Sequence, residues 1–352
     1  MSIEDAKGAI DNIIRKARVH LYKPIQIAEI LYRDRVHKDI VLLELETYRT
    51  KSKTWRDLIC VPFLGRTSTS SAKYQDDIFS ATAVPPSIID ILGKENRKKN
   101  GIVEAYIYDR FQERYGQMST ALNYSRKAKK ETFNLEEFLD LFWSEPGLRR
   151  SIDKVYEIVV YSLFSVLVEE LDVEIEVRLN PDKVNVLEEF ETFAEKVLCI
   201  NSKNTSYKSP ASINRVGVTN AADRGLDMWA NFGPAIQIKH LSLNERLAEE
   251  IVTTVTSDRI VIVCKDSEED VIKSLLTQLG WRSRIQSIIT ESELIDWYEK
   301  ALRGNFSDVI GDKLLKSISD EIINEFPSAD NSDFMEFYIQ RGYDKLNDEF
   351  WK

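Results

Sequence analysis

Apolar positions recur along this chain with two different periods, and the change from one to the other divides it. Up to about residue 150 the spacing is helical. Residues 3–35 read as two helices, broken at Tyr22-Lys23-Pro24, with Ile27, Ile30 and Leu31 as an apolar stripe in the second. A helical, loop-rich region follows. From about Ser151 the pattern gives a helix (152–171), a strand (Val173 to Val177), an insertion with an acidic helix (187–198) and a hairpin (224–239). A helix starting near Asn244 follows, then the run Arg259 to Cys264, which has the apolar continuity of a strand buried on both faces. Helix 267–279, strand Ile285 to Ile289 and helix 291–302 complete the series. Past Gly304 the chain is acidic and helical, with Phe326-Pro327 as a break, and suggests packing or dimerisation rather than chemistry. Strands alternating with helices after a hairpin imply a mixed β-sheet flanked by helices. The expected class is therefore α/β (α+β), with a mainly helical region at 1–150, a sheet-containing core at 151–303 and a helical extension at 304–352.

The hairpin carries the candidate chemistry. It runs from Arg224 to Lys239, with Asn231-Phe232-Gly233-Pro234 as the turn. Side chains alternate faces along a strand, so Ile236 and Ile238 point to one side and Gln237 and Lys239 to the other, while Asp227 alternates with Leu226 and Met228. A carboxylate, an amide oxygen and an ammonium can thus converge at one end of the hairpin. Hydrolysing a phosphodiester needs a hard cation, oxygen ligands to hold it and a means of activating water. Asp227 can supply the anionic ligand and Gln237 a neutral one, and Lys239 can orient or deprotonate the attacking water. His240 points to the core side. In the helix 152–171, Glu157 is the sole acid between Asp153 and Glu169. A carboxylate in so apolar a run needs a partner or a metal; it lies beside a metal at the hairpin, pairs with Lys154 at helical spacing, or faces solvent.

Composition narrows the setting. The chain has 352 residues, 43% hydrophobic and 30% charged, enough for one elaborated domain or two. No apolar run is long enough to span a bilayer, and Met1 to Ala9 lacks the layout of a secretion signal, so a cytoplasmic protein without membrane partners is expected. Cys60, Cys199 and Cys264, like His20, His37 and His240, are too scattered for a disulfide framework or a zinc site. The net charge of −10 is unevenly spread: residues 1–150 hold 26 Lys+Arg against 21 Asp+Glu, leaving 22 against 37 for the rest. Three basic clusters stand out as candidate phosphate contacts: Lys51, Lys53 and Arg56; Arg97, Lys98 and Lys99; and Arg126, Lys127, Lys129 and Lys130. The stretch Leu64 to Lys73 is rich in hydroxyls, and Arg66, Ser68, Ser70 and Lys73 offer groups suited to a nucleic-acid groove. It reads equally as a capped linker ahead of a helix.

The trio resembles the PD-(D/E)xK nuclease signature in its variant with Gln as the middle ligand, although Leu226 stands where that motif has Pro. The resembled fold places a glutamate on its first helix beside the site, which is the analogy for Glu157. Longer stretches are similar to the HaeII-type restriction endonucleases: Lys16 to Glu29, Thr67 to Lys73, Glu145 to Leu148 with Ser151 to Lys154, and Gly217 to Trp229. That resemblance covers almost the whole chain. It implies a type II enzyme that recognises the palindrome RGCGCY in double-stranded DNA, cuts both strands with Mg2+, and is paired with a cognate DNA methyltransferase in a bacterial cytoplasm. Palindromic recognition implies a homodimer, and guanine in each half-site favours Arg or Lys contacts, for which Arg66, Lys73 and Arg215 are candidates. A modification-dependent or repair nuclease of the Mrr type, or a DNA-binding protein with an inactive core, are the alternatives.

Overall fold

The computed structural model describes residues 2–17, 20–65, 67–68, 70–145, 148–216, 226–239, 257–265, 270, 285–326 and 331–352. The helices expected near Asn244 and at 267–279, and the break at Pro327, lie outside these residues. The chain forms two compact units, one comprising Met1–Tyr156 and Ile318–Lys352, the other Glu157–Val216 and Asp223–Ser317.

The first unit is helical. α1 (Ile3–Lys16) is started by a capping box in which Ser2 and Asp5 satisfy each other's backbone amides, and it buries Ala6, Ile10, Ile13 and Ile14 at helical spacing. α2 is Tyr22–Tyr32. Pro24 does not break it but sits in its first turn, where a missing amide hydrogen leaves no bond unmade. The reversal comes earlier, at Leu21, whose φ is 46°. Ile27, Ile30 and Leu31 are buried as their spacing requires, but so are Gln26 and Glu29. α2 packs on α3 (Lys51–Leu64) and α6 (Ile102–Lys127), and α1 on α5 (Pro86–Lys98). A short α4 (Ala72–Asp76) follows α3, and α7 (Leu135–Ser144) follows α6. The C-terminal residues Phe334, Tyr338, Tyr343 and Trp351 belong to the same core as Ile10, Ile27 and Tyr108.

Two buried carboxylates hold this core in register. Glu29 accepts two bonds from Arg341, at 2.7 and 3.0 Å, and one from the Tyr108 hydroxyl at 2.5 Å. Glu104, fully buried, accepts from Arg35 at 2.9 and 2.8 Å, from the Asn96 amide at 2.6 Å and from the Tyr343 hydroxyl at 2.5 Å. Burial, with the adjacent glutamates adding, pushes the Tyr108 and Tyr343 hydroxyls far above their ordinary range, so both remain donors. A buried charge tolerates its desolvation only with such partners.

The second unit holds α8 from Glu157 onward (the helix is Ile152–Glu170) and two sheets. β1 (Glu174–Arg178) pairs antiparallel with β2 (Ser206–Pro210) as a separate ribbon. β3 (Ile213–Arg215), β4 (Met228–Ala230), β5 (Ala235–Lys239), β6 (Ile260–Cys264) and β7 (Ile285–Thr290) form a five-stranded sheet in that order. β3, β4 and β5 are antiparallel neighbours, whereas β5, β6 and β7 are parallel. The sheet is mixed, as the pattern predicts, and every residue of β6 is buried. The first predicted strand, however, lies outside the main sheet, and β2 and β3 were not anticipated. The acidic helix expected at 187–198 is broken into Val184–Glu189, Glu191–Phe193 and Ala194–Leu198. α9 (Glu291–Arg303) leaves β7 through a Thr290–Glu293 capping box, and its Tyr298 hydroxyl donates to the Val159 carbonyl of α8 at 2.7 Å.

Candidate active site

The hairpin is held at its turn from both sides. On one side the Asn231 side chain accepts from the Ser212 amide at 2.8 Å and donates to the Pro210 carbonyl at 3.0 Å. On the other, the Arg259 guanidinium donates to the Phe232 carbonyl, and the Ser257 hydroxyl donates to the Arg259 carbonyl at 2.9 Å. Gly233 has φ +121°, a backbone conformation strained for any other residue, and a Cβ there would also displace the Arg259 guanidinium. Neither brace had a signal in the sequence beyond the turn residues themselves.

From that fixed turn the register places the chemistry. Met228 pairs with Ile236 and Trp229 with Ala235. One further step puts Asp227 opposite Gln237, and residues directly opposite share a face. Asp227 lies one residue ahead of β4 rather than within it. Its backbone carbonyl accepts from the Val216 amide at 3.0 Å, and its Oδ2 accepts from the Ile238 amide at 2.8 Å. The carboxylate thus takes the place of a ladder acceptor between Gln237 and Lys239.

Gln237 is the anomaly of the site. It is 1% exposed, on a central strand, beside Ile262 of β6. Among the described residues neither its Oε1 nor its Nε2 has a hydrogen-bond partner. Both faces of β5 are buried from Ala235 to Ile238, so Gln237 does not lie on an open surface. A buried amide left unsatisfied costs about 1–3 kcal/mol, and such a group in a folded protein calls for an explanation. Lys239, at the end of the strand, is half-buried and lies beside Cys264 in the parallel register. The donor set of Asp227 and Gln237 consists of oxygens, which suits a hard divalent cation. Glu157 is buried on α8 in the same unit. Among the described residues no three His, Cys, Asp or Glu side chains cluster as a metal site. His240 lies outside the described residues.

The candidate DNA contacts are placed as follows. Arg66 lies outside the described residues, Ser68 and Ser70 are half-buried, and Lys73 is exposed on α4. Arg215 pairs with Met228 on edge strand β3, so the register sets it on the sheet face opposite to Asp227. The hydroxyl-rich stretch is anchored by a polar relay that sequence reasoning missed. Gln26 donates to Ser52 at 2.9 Å, Arg56 donates to Gln75 at 2.9 Å, and Gln75 donates to the Ser70 carbonyl at 2.6 Å. Arg56, read from sequence as a phosphate contact, is 2% exposed and serves this relay instead. The other clusters separate in the same way. Lys53 pairs with Asp76 at 2.6 Å, Arg97 with Asp34, and Lys99 with Glu95 and Asp348 at 2.6 and 2.7 Å. Arg126, Lys127 and Lys129 are exposed and make no ion pair with described residues. They stand where α6 ends, next to a cavity of about 410 Å³ lined by Thr120, Asn123, Tyr124, Lys127 and Thr132 among others.

The chain is similar to known sequences along almost its whole length. The sequence model of the HaeII restriction endonuclease family matches residues 6–343. The chain is 62% identical over 346 residues to the type II restriction enzyme HaeII of Haemophilus aegyptius, covering 98% of each. It is 56% identical over 347 residues to the type II restriction enzyme NgoBI of Neisseria gonorrhoeae, again covering 98% of each. No solved structure matches it.

Proposed function

Because the chain belongs to the HaeII restriction endonuclease family, whose relatives are type II site-specific deoxyribonucleases, we propose that Asp227, Gln237 and Lys239 form its phosphodiester-hydrolysing site. The observation that carries this reading is the buried Gln237 amide without a partner, directly across the hairpin from a carboxylate. A position that leaves an oxygen unsatisfied in the fold suits a ligand that arrives later. Mg2+ fits the donor set, with Asp227 and Gln237 as ligands and Glu157 as a further one. When bound, the ion neutralises charge developing on the scissile phosphate.

The chain's own residues divide the remaining work. Asp227 is held by the Ile238 amide, so its carboxylate faces the phosphate without a search among rotamers. Lys239 donates to and orients the attacking water, which loses its proton to solvent as its oxygen bonds to phosphorus and the phosphorus–oxygen bond to the departing sugar oxygen breaks. The arrangement is proposed as a PD-(D/E)xK core, with residues 1–150 as the DNA-recognition region, 151–303 as the nuclease core and 304–352 as a helical extension. Arg66, Ser68, Ser70 and Lys73 are proposed to face the duplex; Arg215, also proposed as a contact, lies on the sheet face opposite to Asp227 and would reach DNA only around the edge strand β3. The palindrome RGCGCY is the proposed site, read by a homodimer with one catalytic centre per strand. A cognate methyltransferase is the proposed partner in a bacterial cytoplasm. Among the described residues no helix is long and apolar enough to cross a membrane.

The test is Asp227→Ala on a plasmid carrying the site. Cleavage should fall by more than about a thousandfold, in line with several kcal/mol of lost charge stabilisation, while specific binding of the duplex persists. Wild-type cutting by this variant removes Asp227 from the site.

A further inference from the structure

The sheet face that carries the candidate active site is covered unevenly. Asp227 lies opposite Gln237, so alternation along the chain puts Trp229 of β4 on the same face. The register adds Asn214 of β3 opposite Trp229, Ala235 and Gln237 of β5, and Ile260 and Ile262 of β6. Ala235, Gln237, Ile260 and Ile262 are buried. Asp227 and Asn214 are half-buried, and Trp229 is 45% exposed. The cover over this face therefore begins at β5 and leaves β4 and β3 open.

The strands themselves do not account for these two open side chains. Met228 and Ala230, on either side of Trp229, are buried on the opposite face, so β4 is well packed and only the indole is left out. Across from Trp229, Ala235 offers a single methyl, a poor partner for an aromatic ring in a cross-strand pair. Asparagine is disfavoured in strands. Among the described residues Asn214 makes one side-chain hydrogen bond, from its Nδ2 to the Ser212 hydroxyl at 3.4 Å, longer than such bonds usually are. Its neighbour Arg215 faces the other way.

We propose that Trp229 and Asn214 form an uncharged subsite for the sugar–phosphate backbone of the strand being cut. Asp227 and Trp229 are two residues apart, about 7 Å along a strand, and Asn214 is about 5 Å across from Trp229. With the scissile phosphate at Asp227, the adjoining deoxyribose and the next phosphate fall within that reach. The flat face of the indole packs on the sugar. Its N–H, a donor only, and the Asn214 amide donate to phosphate oxygens. Such contacts fix the register of the strand on the site and carry no base information. A duplex that brings a phosphate to Asp227 approaches over the open part of this face, where Trp229 stands. This inference rests on the endonuclease reading, in which the Asp227 side of the sheet faces the phosphate.

The test is fluorescence anisotropy of a labelled duplex on full chains that also carry Asp227→Ala, so that the DNA stays whole. Adding Trp229→Ala should weaken binding to cognate and unrelated duplexes alike by about tenfold or more, since covering on the order of 100 Å² of apolar surface is worth at least that. Trp229→Phe keeps an aromatic ring and should stay within about threefold of the reference. Asn214→Ala should weaken binding by about fivefold. A duplex with an uncharged methylphosphonate next to the cleaved bond, placed on each side in turn, should on one side lose a similar factor with the reference chain and nothing further with Asn214→Ala. Tyr207→Ala, at an exposed aromatic on β2, should bind as the reference does. Binding unchanged by both Trp229→Ala and Asn214→Ala overturns the proposal, and so do losses from Asn214→Ala and the methylphosphonate that add on both sides. That second criterion decides the matter if Trp229→Ala lowers the melting temperature. If chains that keep Asp227 cut DNA while the subsite variants bind normally, the endonuclease site stands and the subsite alone falls; cutting by Asp227→Ala removes both.

Discussion

Glu29 and Glu104 of the helical unit and Gln237 of the sheet unit are all buried polar side chains, but their surroundings differ. In the first, Glu29 and Glu104 are each met by an arginine and a tyrosine hydroxyl, and Glu104 by Asn96 as well. In the second, Gln237 is as deeply buried, and among the described residues its amide has no hydrogen-bond partner. Satisfied buried charges fix one arrangement of helices; an unsatisfied buried oxygen beside a carboxylate costs stability, and binding of a ligand there would offset that cost. The contrast separates residues that hold the fold from residues that await a ligand.

The largest effect on the structural side should come from Glu104→Ala. Removing it strands the Arg35 guanidinium and the Tyr343 hydroxyl, and loss of one partner of a buried pair costs about 3–5 kcal/mol. Chemical denaturation should show that loss, with Glu104→Gln intermediate because its amide retains an acceptor. A variant as stable as wild type would mean that the buried network does not support the core.

Next comes the catalytic side. Lys239→Ala should lower the single-turnover cleavage rate by at least about a hundredfold while changing stability by under about half a kcal/mol. Lys239→Arg should be nearly as impaired, since a guanidinium places its charge differently. Near-normal cleavage by either variant takes the lysine out of the mechanism.

How far the sequence reveals this division depends on how local each signal is. The hairpin is legible because Asn231 to Pro234 can only turn and the alternation around it sets the faces. β6 and β7 are legible as short apolar runs between polar segments. β2, with the sequence Ser-Tyr-Lys-Ser-Pro, has no such run and exists because β1 pairs with it. Pro24 looks like a break until its position in the first turn of α2 is known. The ties from Arg341 to Glu29 and from Tyr343 to Glu104 join residues 312 and 239 positions apart, so no local pattern announces them. The three basic clusters look alike in sequence, and only the fold shows which charges are already paired.

That sorting leads to a smaller effect. Arg126→Gln, Lys127→Gln and Lys129→Gln together should weaken binding to cognate and unrelated duplexes in parallel. The slope of log affinity against log salt should shrink by about three, one unit for each phosphate no longer neutralised. The paired cations Lys53 and Lys99 should contribute far less to that slope. An unchanged slope would place the DNA elsewhere.

The central claim, that the Gln237 amide is kept for a ligand and not for the fold, is tested most directly by pairing thermal melts with Mg2+ titration calorimetry on wild type and Gln237→Leu. Leucine removes two unsatisfied atoms at similar volume, so without metal the variant should be as stable as wild type or more so, and its Mg2+ affinity should fall by about tenfold or more. A Gln237→Leu chain that is clearly destabilised yet binds Mg2+ as wild type does would contradict the account.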